Sequence, residues 1–261
     1  MSRGSELILL GTGTSHGVPM IGCDCPTCTS PDPRNQRTRS GALLRTARGN
    51  LLIDTPPELR LQLLREGVAR LHAVLFTHSH ADHLFGLDDL RIFPHYLGHS
   101  LPIFCEEAVE RQIRASFGYA FEPITLQYPA GAVPQLEFRR IGTEPFDVLG
   151  QHVIPLRLEH GRFRVLGFRF DNVAYCTDVK EVPRESLDRL EGLDVLVLDA
   201  LRERPHPTHL SLAESLEIVK QLRPKKTYFT HISHNLEHAA TNARLPEGVE
   251  LAYDGLAIPL S

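Results

Sequence analysis

The sequence contains no tryptophan, only two methionines and no apolar run that approaches the length of a membrane span. A membrane helix needs about 20 consecutive apolar residues. Basic residues are not in excess either, because 28 lysines and arginines stand against 32 acidic residues, for a net charge of −4. The composition therefore predicts no membrane span and gives no electrostatic reason to expect non-specific binding of nucleic acid.

Cysteine is scarce and unevenly placed, since three of the five residues lie between Gly22 and Cys28. The start of the chain has a short apolar run at residues 7–10, followed by glycine-rich polar sequence, which is not the pattern of a secretory signal. We therefore expect a cytoplasmic protein, in which clustered cysteines bind metal or act in redox chemistry more often than they form disulfides.

Short runs rich in Val, Ile and Leu alternate with turn signals along most of the chain. Strands are predicted where such runs are too short for helices and end in polar residues, at 6–11, 49–55, 72–78, 173–178, 194–200 and 226–231. Helices are predicted at 57–67, which begins with proline and ends with glycine, and at 211–224, which opens with a Ser-x-x-Glu capping box. Strands that alternate with helices predict a layered α/β fold.

The organisation predicts a single domain over residues 1–261, because the length suits one large domain and no linker divides it. The middle, residues 104–153, is rich in proline, glycine and aromatics and has no periodicity that we can assign to helices or strands.

Fourteen histidines are present, and some stand with aspartates at the ends of predicted strands. The residues in these positions are Asp54, His78, Asp178, Asp199 and His231. In layered α/β folds, functional side chains collect at the carboxyl ends of strands and on the loops that follow them. Such a set of imidazoles and carboxylates is what a metal centre needs.

The densest group of metal-ligand side chains is THSHADH, residues 77–83. His78 and His80 point to the same side of an extended chain, because side chains alternate with period two, and can chelate one ion together. Asp82 and His83 follow where the chain turns into a helical pattern, so their side chains diverge from the first pair. Four ligand-type residues in six positions are poorly explained by a solvated loop, and the segment can supply two neighbouring metals.

The pattern HxHxDH after a hydrophobic strand resembles the metallo-β-lactamase superfamily, and LEHG, YCTD and FTHISH follow in the order expected for it. The resemblance implies an α/β fold, a four-layer αββα sandwich of two mixed β-sheets flanked by helices, with metals at one edge. It implies that Asp54 supports the metal site without binding a metal. The implied ligands are His78, His80 and His160 for the first metal, Asp82, His83 and His231 for the second, and Asp178 as a bridge.

Charge indicates the chemistry of such a site. Five neutral imidazoles and two carboxylates contribute about −2, two divalent ions contribute about +4, and a bridging hydroxide leaves about +1. Two metals lower the pKa of a shared water, and the residual positive charge favours an anionic substrate. We therefore expect a binuclear metal-dependent phosphodiesterase that hydrolyses a small phosphoester, cyclic phosphates included, through a metal-bridging hydroxide. Zn²⁺ and Mn²⁺ both suit a His/Asp site.

The cysteines form a second candidate site, with the spacing C-x-C-x-x-C at Cys23, Cys25 and Cys28. Three thiolates can seat one zinc ion, but structural zinc prefers four ligands. Cys105 and Cys176 are candidates for the fourth ligand, although Cys176 lies inside a strand pattern that is typical of a core residue. His234, three residues after His231, is the better candidate because it can turn away from a catalytic metal.

Residues 11–41 are similar to the PhnP-type branch of the superfamily, the branch of cyclic-phosphoribose phosphodiesterases. This resemblance implies a structural Zn²⁺ held by the three cysteines and His234, within a zinc-binding loop at residues 22–41. It also implies a catalytic role for His209, which would protonate the leaving oxygen or stabilise charge on the phosphoryl group. His206 competes for this role but sits between two prolines. Asp82 is a further candidate catalytic residue.

A basic run and one histidine have no assigned role. Arg34, Arg37 and Arg39 form either a solvated loop or a clamp for a substrate phosphate. His16 lies in the glycine-rich stretch after the first strand, where it could approach the site.

Other functions stay open. A tRNA 3′-processing endonuclease of the same superfamily is less favoured, since its His-Glu-Ala-Thr loop is absent and the chain is acidic. A lactone or thioester hydrolase is a further alternative, and a non-catalytic metal-binding scaffold conflicts with the full ligand set. The expected partner is a small phosphodiester substrate, and neither nucleic acid nor a membrane is expected. The resemblance allows a homodimer.

Overall fold

Fourteen β-strands and seven α-helices form the regular structure in a computed structural model of the chain, which describes residues 5–129 and 131–260. The strands are β1 Glu6–Gly11, β2 Gly41–Thr46, β3 Gly49–Ile53, β4 Ala73–Leu75, β5 Leu101–Cys105, β6 Leu136–Arg140, β7 Phe146–Val148, β8 Gln151–His160, β9 Phe163–Phe170, β10 Val173–Cys176, β11 Val195–Asp199, β12 Lys226–Thr230, β13 Val249–Leu251 and β14 Leu256–Pro259. The helices are α1 Leu59–Arg65, α2 Ala81–Leu84, α3 Phe93–Leu97, α4 Glu107–Ser116, α5 Arg184–Arg189, α6 Leu212–Leu222 and α7 His238–Asn242.

The strands form two sheets of seven. The order is β14-β1-β2-β3-β4-β5-β6 in one sheet and β13-β12-β11-β10-β9-β8-β7 in the other. In the first sheet the pairs from β14 to β3 are antiparallel and those from β3 to β6 are parallel. The second sheet likewise changes from antiparallel to parallel at β10. Both sheets are therefore mixed, as the sequence predicted.

The run of apolar residues in β1 shows why each sheet lies between two apolar layers. Leu7 and Leu9 face the core between the two sheets, whereas Ile8 and Leu10 face an outer cluster that includes α1 and α4 residues. Side chains alternate along a strand, so a strand that is covered on both faces reads as continuously apolar. A third cluster covers the outer face of the second sheet and includes Leu212 of α6. The layer order is helix, sheet, sheet, helix, which confirms the predicted αββα sandwich.

Four strands end before the polar residues that closed the predicted strands, whereas β11 keeps Asp199 as its last residue. β3, β10 and β12 stop one or two residues early, and β4 ends three residues early, at Leu75. Asp54, Asp178 and His231 instead take positive φ angles of 63°, 56° and 56°. Such conformations are strained for residues with a Cβ and cluster at functional sites. The chain therefore turns out of the sheet at these three positions, which the strand pattern alone does not reveal.

The predicted helices are present at α1 and α6, and the capping box of Ser211 and Glu214 is formed. The helical pattern after His83 is a 3₁₀ helix at Leu87–Ile92 followed by α3. The unassigned middle contains α4, β6, β7 and two 3₁₀ helices, Gly118–Phe121 and Pro123–Gln127. β6 was hard to recognise because it is an edge strand with mostly polar, solvent-facing residues.

Two further expectations from the sequence are the single domain over residues 1–261 and the absence of a membrane span. The predicted single domain includes residues 1–4, 130 and 261, which lie outside the part that the structure describes. Within the described part, no helix is both long enough and apolar enough to cross a membrane.

Candidate metal centre

The candidate site lies at the edge where the carboxyl ends of parallel strands from both sheets meet. Six strands end at this edge, and polar side chains lie at or just after the end of each. Asp54 follows β3, residues 77–83 follow β4, His160 ends β8, Asp178 follows β10, Asp199 ends β11, and His231 follows β12. Because parallel strands end on the same side of a sheet, residues far apart in sequence come together here.

The first group of donor atoms comes from His78, His80, His160 and Asp178, which all lie within 4.8 Å of one another. His78 Nε2 lies 3.0 Å from His80 Nδ1. Asp178 Oδ1 lies 3.9 Å from the Nε2 atoms of both His78 and His160. Ligand bonds of about 2.0–2.2 Å in a tetrahedral site separate neighbouring donors by about 3.4 Å. The spacing therefore fits one metal ion.

The second group consists of Asp82, His83 and His231. Asp82 Oδ2 lies 3.5 Å from His83 Nε2 and 3.7 Å from His231 Nε2. Asp178 also reaches this group, with Oδ2 3.1 Å from His83 Nε2 and Oδ1 3.4 Å from His231 Nε2. The structure thus brings together all seven predicted ligands, with the Asp178 carboxylate between the two groups.

Two buried nitrogens test whether these residues fit metal ions. The Nε2 atoms of His83 and His231 are buried, and although Asp178 oxygens lie near them, neither atom makes a well-aligned hydrogen bond to any described residue. A buried polar atom without a partner costs about 1–3 kcal/mol. Both nitrogens belong to the second group, so one cation there would engage both, and that group fits a divalent ion.

The charges of the site also favour bound cations. Burial lowers the pKa of His78, His80 and His160, so these imidazoles are neutral and keep a lone pair for a metal. Burial also acts to lower the pKa of His231, but Asp178 and Asp82 outweigh it and raise the value to about 9. The carboxylates thus call for positive charge, which a divalent ion supplies more fully than an imidazolium.

Asp54 supports this centre from behind, as the resemblance implied. Its Oδ2 atom lies 2.8 Å from His83 Nδ1 and accepts a hydrogen bond from the Thr77 hydroxyl, while its Oδ1 atom accepts one from the Thr77 N–H. His160 is oriented in the same way, because its Nδ1 donates to the carbonyl oxygen of Thr208 over 2.7 Å. Such contacts fix which ring nitrogen faces the metal.

His209 lies beside the centre, and its partner is Asp199, which the sequence placed at a strand end without giving it a specific role. The Nδ1 atom of His209 donates to Asp199 Oδ2 over 2.7 Å, and both side chains are buried. The same Asp199 oxygen accepts the N–H of Val179, next to Asp178. Asp199 therefore joins His209 to the turn that carries Asp178. Its position at a strand end was the signal that could have assigned it to the site.

The glycine-rich N-terminal segment passes under the last ligand loop. Thr14 N–H donates to the carbonyl oxygen of Ile232, and Gly13 forms a bridge with the same residue. His16 lines a cavity of about 210 Å³ that also contacts His206 and His209. His16 thus lies near the centre, as the sequence suggested.

The cysteine cluster forms beside this segment. Cys23 Sγ and Cys25 Sγ lie 3.2 and 3.4 Å from His234 Nδ1, and the donor atoms of the cluster, Cys28 included, lie within 4.8 Å of one another. The N–H of Cys28 is the main cause that lowers the pKa of Cys25 to about 6, which favours a thiolate at neutral pH. Cys105 is buried elsewhere, in a helix-covered core layer. The four predicted zinc ligands are therefore assembled.

Loss of a thiolate or of His234 should remove one zinc ion per chain. We expect Cys25→Ser and His234→Ala to lower the free energy of unfolding by about 4 kcal/mol when free zinc exceeds its Kd by about a thousandfold, because binding to the folded state alone stabilises it by mass action. Elemental analysis and urea denaturation at fixed free zinc measure both effects. His95→Ala, an exposed histidine, is the control. Unchanged zinc content in both variants would contradict a structural zinc site.

The basic run is neither fully solvated nor free to clamp a substrate. Arg34 pairs with Asp32 over 2.8 Å, and Arg39 pairs with Glu58. Arg37 is only 1% exposed and donates to the carbonyl oxygen of Leu236. The solvated-loop interpretation is therefore wrong for Arg37, which ties the N-terminal segment to the loop after His234.

The chain matches the model of a known domain family, described as the beta-lactamase superfamily domain, over residues 49–232. A crystal structure of a diphosphatase of the PhnP family is 43% identical, superposes with a TM-score of 0.91, and covers 98% of both chains. These findings confirm the resemblance to the superfamily and to its PhnP branch.

Curated relatives carry different names. An octanoyltransferase of Porphyromonas gingivalis is 36% identical over 95% of this chain, but the chain spans only about half, 50%, of that relative's length. Coenzyme PQQ synthesis protein B of Methylobacterium radiotolerans is 36% identical over 223 residues, 74% of this chain and 72% of the relative.

Proposed function

Because the chain belongs to the beta-lactamase superfamily, we propose that it is a binuclear metal-dependent phosphodiesterase acting on a small phosphoester. The superfamily and the diphosphatase neighbour support a hydrolase. The single observation that carries the finer proposal is the pair of donor groups joined by one buried carboxylate, Asp178. Two cations about 3.5–4 Å apart suit an in-line displacement at phosphorus.

The metal ligands proposed are the seven residues of the two groups, and the ions are Zn²⁺ or Mn²⁺. When bound, such ions would lower the pKa of a water at the site and neutralise charge on the phosphoryl oxygens. The substrate is proposed to be a small diester, and nucleic acid is not proposed as a partner.

His209 is proposed to complete the reaction as the general acid. Asp199 accepts the hydrogen bond from Nδ1, so Nε2 is left to face the leaving oxygen. The carboxylate also stabilises the imidazolium, which can then donate its Nε2 proton to the departing group and become neutral. Burial of both side chains keeps competing water away from this pair.

A second candidate is hydrolysis of an acyl ester or thioester, which the name of the Porphyromonas gingivalis relative favours. About half of that relative lies outside the match, and that half can hold its named activity. The excess of positive charge at a dimetal centre with only two carboxylate ligands favours an anionic diester over a neutral ester.

The test compares substrates on protein prepared without chelator and supplied with zinc and manganese. We expect more than two metal ions per chain, turnover of bis-p-nitrophenyl phosphate and 2′,3′-cyclic nucleotides, and loss of turnover after chelation. A preference for p-nitrophenyl octanoate would support the ester hydrolase, and cleavage of a tRNA precursor would support the endonuclease. A content of one ion per chain would overturn the binuclear proposal.

A further inference from the structure

An exposed aromatic ring stands at the mouth of the metal centre. β8 and β9 form a hairpin in which His160 pairs with Phe163 across a turn at Gly161 and Arg162. Phe163 is 43% exposed, and its ring centroid lies 5.0 Å from that of His80 in a nearly perpendicular arrangement. Other apolar side chains of this protein are equally exposed, but Phe163 contacts a proposed metal ligand, so a substrate bound at the centre can reach its ring.

The hairpin that carries this ring is held rigidly. Gly161 has a φ angle of +64°, and a Cβ placed there would lie 2.7 Å from the Cγ2 atom of Thr208. Thr208 is also the residue whose carbonyl oxygen accepts the hydrogen bond from His160. The turn at Gly161 and Arg162 is therefore packed against the loop that leads to His209. This packing fixes the backbone of the turn relative to the site.

Arg162 adds positive charge to the same surface. Its guanidinium carbon lies 5.0 Å from the centroid of the Phe163 ring, within the range of a cation–π contact. The next arginine on the hairpin, Arg164, is turned instead toward Glu159 at 3.6 Å. Arg162 thus lies over one face of the Phe163 ring, and both side chains are exposed.

The order of rings along the site indicates which part of a substrate would meet this surface. His209 is 4.6 Å from His160, His160 is 5.2 Å from His80, and His80 is 5.0 Å from Phe163, all between ring centroids. Phe163 and His209 therefore lie at opposite ends of the row. In an in-line displacement the retained group is equatorial, so if the leaving group departs toward His209, as the proposed function requires, the retained group can extend toward Phe163.

We propose that Phe163, with Arg162, is a specificity-determining platform that stacks a planar, nucleobase-type group retained on the substrate phosphorus. The proposal rests on the phosphodiesterase function and names its substrate class as small nucleoside phosphodiesters. Aromatic rings bind bases of any sequence through their faces, and arginine strengthens such stacking. The platform therefore selects for a nucleoside without requiring one particular base.

The test uses two esters with the same leaving group, thymidine 5′-(p-nitrophenyl phosphate) and methyl p-nitrophenyl phosphate. We expect Phe163→Ala to lower kcat/KM for the thymidine ester about 10-fold, mainly through KM, and to change the methyl ester less than about twofold. Phe163→Tyr should restore the difference because it restores a flat ring. Arg164→Ala is the matched control. Calorimetry with thymidine 5′-phosphate should show binding weakened about 10-fold in Phe163→Ala.

The outcomes separate the platform from a structural role and from the proposed function. An equal loss with both esters would mean that Phe163 acts only by holding His80, and unchanged kinetics with both would mean that it acts on neither; each overturns the platform. Metal content is measured for every variant. If Phe163→Ala loses metal, the comparison of the two esters is decided with Phe163→Tyr instead. If the metal-loaded wild type hydrolyses neither ester, the proposed function fails, and thymidine 5′-phosphate binding alone decides the platform.

Discussion

Asp178→Ala is expected to lower the turnover of bis-p-nitrophenyl phosphate by about 1000-fold or more. Among the proposed ligands, Asp178 is the carboxylate that lies near both donor groups, with Oδ1 3.9 Å from His78 Nε2 and 3.4 Å from His231 Nε2. Its removal takes a ligand from each proposed ion and half of the negative charge of the two carboxylate ligands. Elemental analysis should show loss of both active-site ions while the zinc at the cysteines stays, because Asp178 is not part of that cluster.

Asp188→Ala is the control, since Asp188 is an exposed aspartate in α5 that pairs only with Arg184 within its own helix among the described residues. It should keep metal content and rate. Circular dichroism and urea denaturation check that Asp178→Ala is folded, which removes the trivial explanation of lost activity. An unaltered rate in folded Asp178→Ala would end the hydrolase proposal, and retention of both ions would end the bridging role.

His209→Ala is expected to retain its metals but to lose about 10²- to 10³-fold in kcat with 2′,3′-cyclic CMP, whose leaving group is an alkoxide. The loss with bis-p-nitrophenyl phosphate should be smaller, because a phenolate departs without a proton. The imidazole of His209 also lies near Asp178 and His231, so a ligand role is the competing explanation. Loss of metal in His209→Ala would favour that explanation.

Asp199→Asn separates the orientation of His209 from its presence. The asparagine can still accept one hydrogen bond from His209 Nδ1 but no longer stabilises the imidazolium. We expect about a 10- to 100-fold loss of kcat with the cyclic substrate and a smaller loss with bis-p-nitrophenyl phosphate. His99→Ala, an exposed histidine outside the site, controls for loss of an imidazole. Equal kcat values with the cyclic substrate for Asp199→Asn and wild type would remove Asp199 from the mechanism.

The layered α/β class and the four candidate donors of THSHADH could be predicted from short local patterns, whereas the αββα arrangement and the roles of His160, Asp178 and His231 were implied by the resemblance to the superfamily. β1 is apolar at every buried position, and THSHADH places four donors within one turn of chain. Hydrophobic runs and the spacing of ligand-type residues can be read from the sequence without knowledge of the fold. The polar residues that close each run were also visible, and they all converge at the predicted edge.

The roles that sequence reasoning missed depend on contacts between segments that are distant in the sequence. Asp199 is ten residues from His209, and Thr208 is 48 residues from His160; neither pair has a spacing that marks it. Phe163 reads as an ordinary strand residue until the hairpin register places it beside His80. Arg37 reads as part of a charged loop because nothing local shows that it is buried. Such roles follow from topology, which a single sequence does not encode in adjacent positions.

The cysteine cluster has a consequence for the chain while it is being made. Cys23 and His234 are separated by 211 residues, and Cys25 and His234 by 209. At about 5–20 residues per second, the thiols emerge from the ribosome about 10–40 s before their histidine partner. During that interval they are open to oxidants and to stray thiophilic ions. Under oxidising conditions, the first chemical damage to the nascent chain should therefore be oxidation of these thiols, which would prevent the zinc site from forming.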